Sequence, residues 1–76
     1  MPGQDGMAVV LFHSAQAAIQ AERVVQAEGI AARLIPVPRQ LSTECGMALR
    51  IARHEEPRVR AALASAGIAY RGIHEL

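Results

Sequence analysis

Met7-Ala-Val-Val-Leu-Phe-His-Ser-Ala-Gln-Ala-Ala-Ile-Gln-Ala-Glu-Arg-Val-Val-Gln-Ala-Glu-Gly-Ile30 decides the fold, because it spells a strand, a capped helix and a return to extended chain in one pass. Met7 to Phe12 is short, β-branched in its middle and apolar on both faces, which suits a central strand. Ser14 offers an N-cap oxygen, and Ala17, Ala18, Ala21, Val24 and Val25 then recur at helical spacing with Gln16, Gln20 and Arg23 opposite. Gly29 ends that helix as a C′ glycine does. The same phrase returns near the other end of the chain. Glu55-Glu-Pro57 makes an acidic, proline-bearing first turn, Val59, Ala62, Leu63 and Ala66 form an apolar stripe, and Ala66-Gly-Ile68 repeats Glu28-Gly-Ile30.

Between the two copies, Ile30 to Ile35 reads as a strand that Pro36 and Pro38 bring to an end, since proline has no amide hydrogen to give a ladder. Arg39 to Gly46 is a polar connection, and Met47, Leu49 and Ile51 alternate with Ala48, Arg50 and Ala52 as a further strand. Ile68 to Ile73 supplies the last strand, with Gly72 as a candidate bulge. The order β-α-β-β-α-β is a split-βαβ plan. Right-handed crossovers turn it into an α+β, ferredoxin-like domain: one antiparallel sheet in order 4-1-3-2, with two helices on one face. Residues 1–6 read as a flexible tail and 7–76 as a single domain.

Composition narrows the function. With 76 residues the chain holds one core, and at 51% hydrophobic and 20% charged it is too apolar to be disordered. All cations are Arg, the net charge is +1, and Phe12 and Tyr70 are the only aromatics, so no basic field or stacking platform points to nucleic acid. The longest apolar run, Met7 to Phe12, cannot cross a bilayer and is not an export leader, so the expectation is a cytoplasmic protein with no membrane partner. No Gly-rich phosphate loop, nucleophile elbow or carboxylate pair is present, which disfavours a self-sufficient enzyme. One cysteine excludes a disulfide framework, a C-x-x-C pair and a multi-thiolate metal site, and neither a metal nor a resident cofactor is expected. Val9, Leu11 and Ile35 fall on the helix-free side of the sheet, where apolar groups point to partial burial against another copy, as a homodimer, or against another protein, with a scatter of exposed apolar residues as the competing reading.

Chemistry then concentrates on Cys45. A thiolate is a strong nucleophile and can hold a second sulfur or selenium atom. The residue lies in a loop, Gly46 leaves room beside it, and the topology sets it at one rim of the sheet with His13, Ser14, Arg39, Ser42, Thr43 and Gly67. Ser14 at the positive end of the first helix, His13 and Arg39 would each favour the thiolate. A lone cysteine also serves as a small buried hydrophobe, and an arginine such as Arg39 as a solvated rim charge. Arg50 falls with Arg33 on the helix-free side.

The run Arg33-Leu-Ile-Pro-Val-Pro-Arg-Gln-Leu-Ser-Thr-Glu-Cys-Gly-Met-Ala-Leu-Arg50 resembles the signature of a family of small bacterial Se/S carrier protein-like domains. The resemblance covers nearly the whole chain from Met7 and is densest in Pro-x-Pro-Arg, Ser-x-x-Cys-Gly and Ala-Leu-Arg. It marks Pro36, Pro38, Arg39, Ser42, Cys45, Gly46 and Arg50 as the family pattern. It implies a carrier in selenium or sulfur metabolism whose cysteine holds persulfide or selenide between donor and acceptor proteins. The Cys-Pro-x-Pro motif of better-known sulfur carriers is absent, so their mechanism does not transfer. The competing class is a small regulatory or protein-interaction module in which Cys45 is incidental.

Overall fold

A computed structural model describes residues 6–37 and 46–76. Strand β1 is Met7–Leu11, helix α1 Ala15–Ala27, β2 Ala32–Pro36, β3 Met47–Ala52, α2 Glu56–Ala66 and β4 Gly72–Glu75, with a 3-10 turn at Arg53–Glu55 leading into α2. The fold is α+β. Its single sheet runs β2-β3-β1-β4, which is β4-β1-β3-β2 from the other edge, and every neighbouring pair is antiparallel.

Both helices end in the same hydrogen-bonded cap, and this is why the Gly-Ile phrase repeats. Gly29 and Gly67 take left-handed φ of 81° and 72°, a conformation that costs a residue with a Cβ. The amides of Gly29 and Ile30 then bond the carbonyls of Gln26 and Val25, and those of Gly67 and Ile68 the carbonyls of Ala64 and Leu63. Each isoleucine is thereby turned into the core. At the other end of α1, the Ser14 hydroxyl accepts from the Ala17 amide at 3.1 Å.

The caps aim both helices at one face of the sheet. Ala18, Ala21 and Val25 of α1 and Val59, Ala62 and Leu63 of α2 share a core with Ala8 and Val10 of β1, Leu49 and Ile51 of β3, and Phe12. Small alanines on α1 let the helix lie close, so that strands and helices exclude water with few large side chains. Two α1 side chains also blunt the free edge of β2: Gln26 Nε2 donates to the Ala32 carbonyl at 2.8 Å, and Glu22 Oε2 accepts from the Leu34 amide at 3.3 Å. Arg58 joins the two halves, donating to the Glu28 carbonyl at the end of α1 and pairing with Glu55.

Four details differ from the sequence expectation. The last strand begins at Gly72 rather than Ile68, because Ile68 is consumed by the helix cap and Tyr70 packs into the core. Gly72 pairs regularly with Leu11, so it forms no bulge. The ladder also outlasts Pro36: the Val37 amide still reaches the Gly46 carbonyl at 3.2 Å. Proline is tolerated there because β2 is an edge strand.

The fourth difference concerns the helix-free face. Val9 and Leu11 are 0% and 4% exposed in the isolated chain, with Ala48 also buried and Ile35 and Val37 packed against them. His74 of the adjacent strand β4 pairs with Val9. These apolar residues are therefore covered without a second copy, and they no longer argue for a homodimer.

Candidate functional site

One end of the sheet gathers the described parts of the rim. The pairing Leu11↔Ala48 puts the end of β1 beside the start of β3, and continuing that register brings the His13–Ser14 turn level with Gly46. Pro36 pairs with Met47 on the other side of β3. Backbone from β4 closes the same end, where the Arg71 amide donates to the Leu11 carbonyl at 2.6 Å. His13, Ser14, Pro36 and Gly46 are all exposed here.

Gly46 has a specific reason to be glycine. Its φ is +79°, while a Cβ added to it would meet nothing within 4 Å. The requirement is thus backbone conformation alone: the chain enters β3 through a left-handed residue, which L side chains resist. Cys45 immediately precedes this turn in the sequence. Cys45 itself, with Pro38, Arg39, Ser42 and Thr43, lies outside the described residues.

The electrostatics at this end come from the first turn of α1. The Ser14 side chain satisfies one of its amides and the helix dipole leaves the turn positive. No acidic side chain lies in that first turn to offset it. An anion such as a thiolate is favoured near such a terminus.

Arg50 does not belong to this rim. It pairs with Val9 and Arg33 in mid-strand, four residues along β3 from Gly46, or about 13 Å at ~3.3 Å per residue. Arg50 shares its surroundings instead with Arg33, Met7, Gln26, Ala31 and Ala32, which line a cleft of about 320 Å³. Sequence patterning placed Arg33 and Arg50 on the same face but had no means to oppose them, because register follows from strand pairing rather than from alternation.

The comparisons with known proteins agree with the residue pattern. The chain belongs to the family described as "Putative Se/S carrier protein-like", whose profile matches residues 7–75. No curated protein and no solved structure matches it. Among the described residues, no helix is long and apolar enough to cross a membrane.

Proposed function

We propose that this domain is a chalcogen carrier of the ferredoxin-like type, in which Cys45 receives sulfur or selenium from one protein and hands it to another. Family membership over residues 7–75 is the observation that carries the reading. The rim geometry supports it: the residue after Cys45 makes a left-handed turn into β3, level with the Ser14-capped start of α1.

Loading is a transfer of sulfane sulfur. The Cys45 thiolate attacks the terminal sulfur of a donor's persulfide, a new S–S bond forms on Cys45, the donor's S–S bond breaks, and the donor leaves as its thiolate. No external oxidant or reductant is consumed. Delivery repeats the exchange with an acceptor nucleophile, and a donor carrying selenium in the terminal position loads Cys45 in the same way. Pro36 and Pro38 would stiffen one approach to the loop, Arg39 and Ser42 would lie in it, and Gly46 shapes its exit. Nothing in this cycle needs a metal or a resident cofactor.

Intact-mass measurement tests the proposal after incubation with a cysteine desulfurase and either cysteine or selenocysteine, which load the desulfurase with a terminal persulfide sulfur or perselenide selenium for transfer. The expected result is one added sulfur or selenium atom, removable by dithiothreitol and lost in Cys45→Ser. A folded wild-type protein that gains no mass under either condition would overturn it and favour an interaction module in which Cys45 is incidental.

A further inference from the structure

Arg33 and Arg50 are direct cross-strand partners in the β2–β3 ladder. Directly opposed residues hold their Cβ atoms about 4.5–5.5 Å apart on one face, and like charges in that position oppose sheet formation. Two guanidinium cations therefore stand at opposed positions of the ladder. Neither guanidinium has a hydrogen bond or ion pair with a described residue, although Arg53, Arg58 and Arg60 are each paired with a glutamate. No Asp or Glu stands on the helix-free face at any described strand position: the nearest strand acid, Glu75, pairs with Ala8 and so projects toward the helices.

The two arginines also line one concave surface. A cleft of about 320 Å³ is lined by Arg33 and Arg50 together with Met7, Ala31, Ala32 and Gln26. Its volume lies at the small end of the range of small-molecule sites. Gln26 is held in place by its bond to the Ala32 carbonyl. A sheet face that merely needed solubility would gain nothing from opposing two arginines beside a cavity.

We propose that this cleft binds a small phosphorylated metabolite, with the phosphoryl group bridging Arg33 and Arg50. A phosphate dianion neutralises both guanidiniums and offers each a pair of acceptor oxygens, the geometry for which arginine forks are suited. A single carboxylate would leave one positive charge uncompensated. The cleft exceeds the size of a bare phosphate, and its Met7 and alanine walls and the Gln26 amide take the organic remainder. Charge complementarity favours this occupant over a second copy, whose own helix-free face would bring the same arginines. Arg50 lies four residues along the chain from Gly46, and the proposal does not depend on the carrier reading.

The test is an amide-resolved NMR titration with inorganic phosphate and with glucose 6-phosphate, at constant ionic strength in chloride. Saturable shifts centred on Met7, Ala31, Arg33 and Arg50 are expected, with the sugar phosphate binding more tightly. Arg33→Gln and Arg50→Gln should each weaken binding by about tenfold or more, Arg33→Lys should lose less, and Cys45→Ser should bind as wild type. Circular dichroism checks that each variant is folded, and Arg33→Gln, on an exposed edge position, serves if Arg50→Gln does not fold. Unsaturable or scattered shifts, or unchanged binding in both folded Gln variants, would overturn the proposal. Equal affinity for the two probes would reduce it to a simple anion site, and a stronger response to an Asp- and Glu-rich peptide would make the face a protein-docking surface.

Discussion

The Val37 amide donates to the Gly46 carbonyl at 3.2 Å, so the chain leaves β2 and re-enters β3 at adjacent positions. The segment bearing Cys45 is thereby tied at both ends to the rigid end of the sheet. Gly46 is one of the two anchoring residues and the only one whose conformation demands a particular amino acid.

Gly46→Ala should therefore cost about 1–2 kcal/mol, the price of a left-handed residue with a Cβ. No steric term adds to it, because the new methyl meets nothing. Gly46→Asn should cost less, since asparagine visits this region more readily. Urea denaturation of wild type and of the Ala, Asn and Val variants checks the order. A larger loss for Ala than for Val would contradict a purely backbone origin, as β-branching worsens strain at positive φ.

Ser14→Ala removes the oxygen that accepts from Ala17, and a loss of about 1 kcal/mol is expected. Ser14→Asp should retain the cap and complement the dipole. Chemical denaturation gives the stability. The two variants differ in a second way that matters for the carrier: an aspartate at this position places a negative charge level with Gly46 and should slow thiolate chemistry at Cys45, whereas alanine leaves the charge unchanged. Equal alkylation rates in both would show that the start of α1 does not influence the thiol.

Leu63 is fully buried between α2 and the sheet, and Leu63→Ala should cost about 2–5 kcal/mol. A core of this size seldom supplies more than ~3–5 kcal/mol in total. Circular dichroism should show a variant that is largely unfolded or that melts far below wild type. Leu11 makes a parallel case on the other face. At 4% exposure a charge introduced there is desolvated inside the chain, so Leu11→Arg should lose cooperative unfolding. A well-folded Leu11→Arg that merely changed its mass in solution would return the residue to an interface between copies.

The parts of the fold legible in sequence are those fixed by local chemistry. Ser14, Gly29, Pro57 and Gly67 each mark a helix end with a residue whose backbone or side chain can do little else there, and all four occupy those ends. Positions settled by long-range pairing were less readable. Ile68 looks like a strand residue by composition, yet its amide and side chain are claimed by the cap of α2. Alternation puts Val9 and Leu11 on the open face, but their burial depends on neighbours from other strands, among them Ala48 of β3 and Ile35 of β2. The candidate site divides similarly: strand register brings the described His13, Ser14 and Gly46 toward one end of the sheet and opposes Arg50 to Arg33 in mid-strand, while Cys45, Arg39 and Ser42 lie outside the described residues.

The reactivity of Cys45 follows from the same arrangement. A carrier must attack a donor persulfide near neutral pH, and the thiol form is a poor nucleophile. The positive start of α1 lies level with the neighbouring residue Gly46, and Arg39 is six positions away in the chain. On the carrier reading each would favour the anion and draw the thiol pKa down, whereas burial among apolar groups would push it up. The expected outcome is an iodoacetamide reaction whose pH midpoint lies below the ~8.5 of a free cysteine peptide, with Arg39→Ala moving it upward. Because a lower pKa can weaken intrinsic nucleophilicity, the comparison is made on the midpoint and not on the plateau rate. A midpoint above the peptide value, or a thiol that reacts only when the protein is unfolded, would remove the chemical basis for carriage and leave binding, through the Arg33–Arg50 cleft or another surface, as the role of this domain.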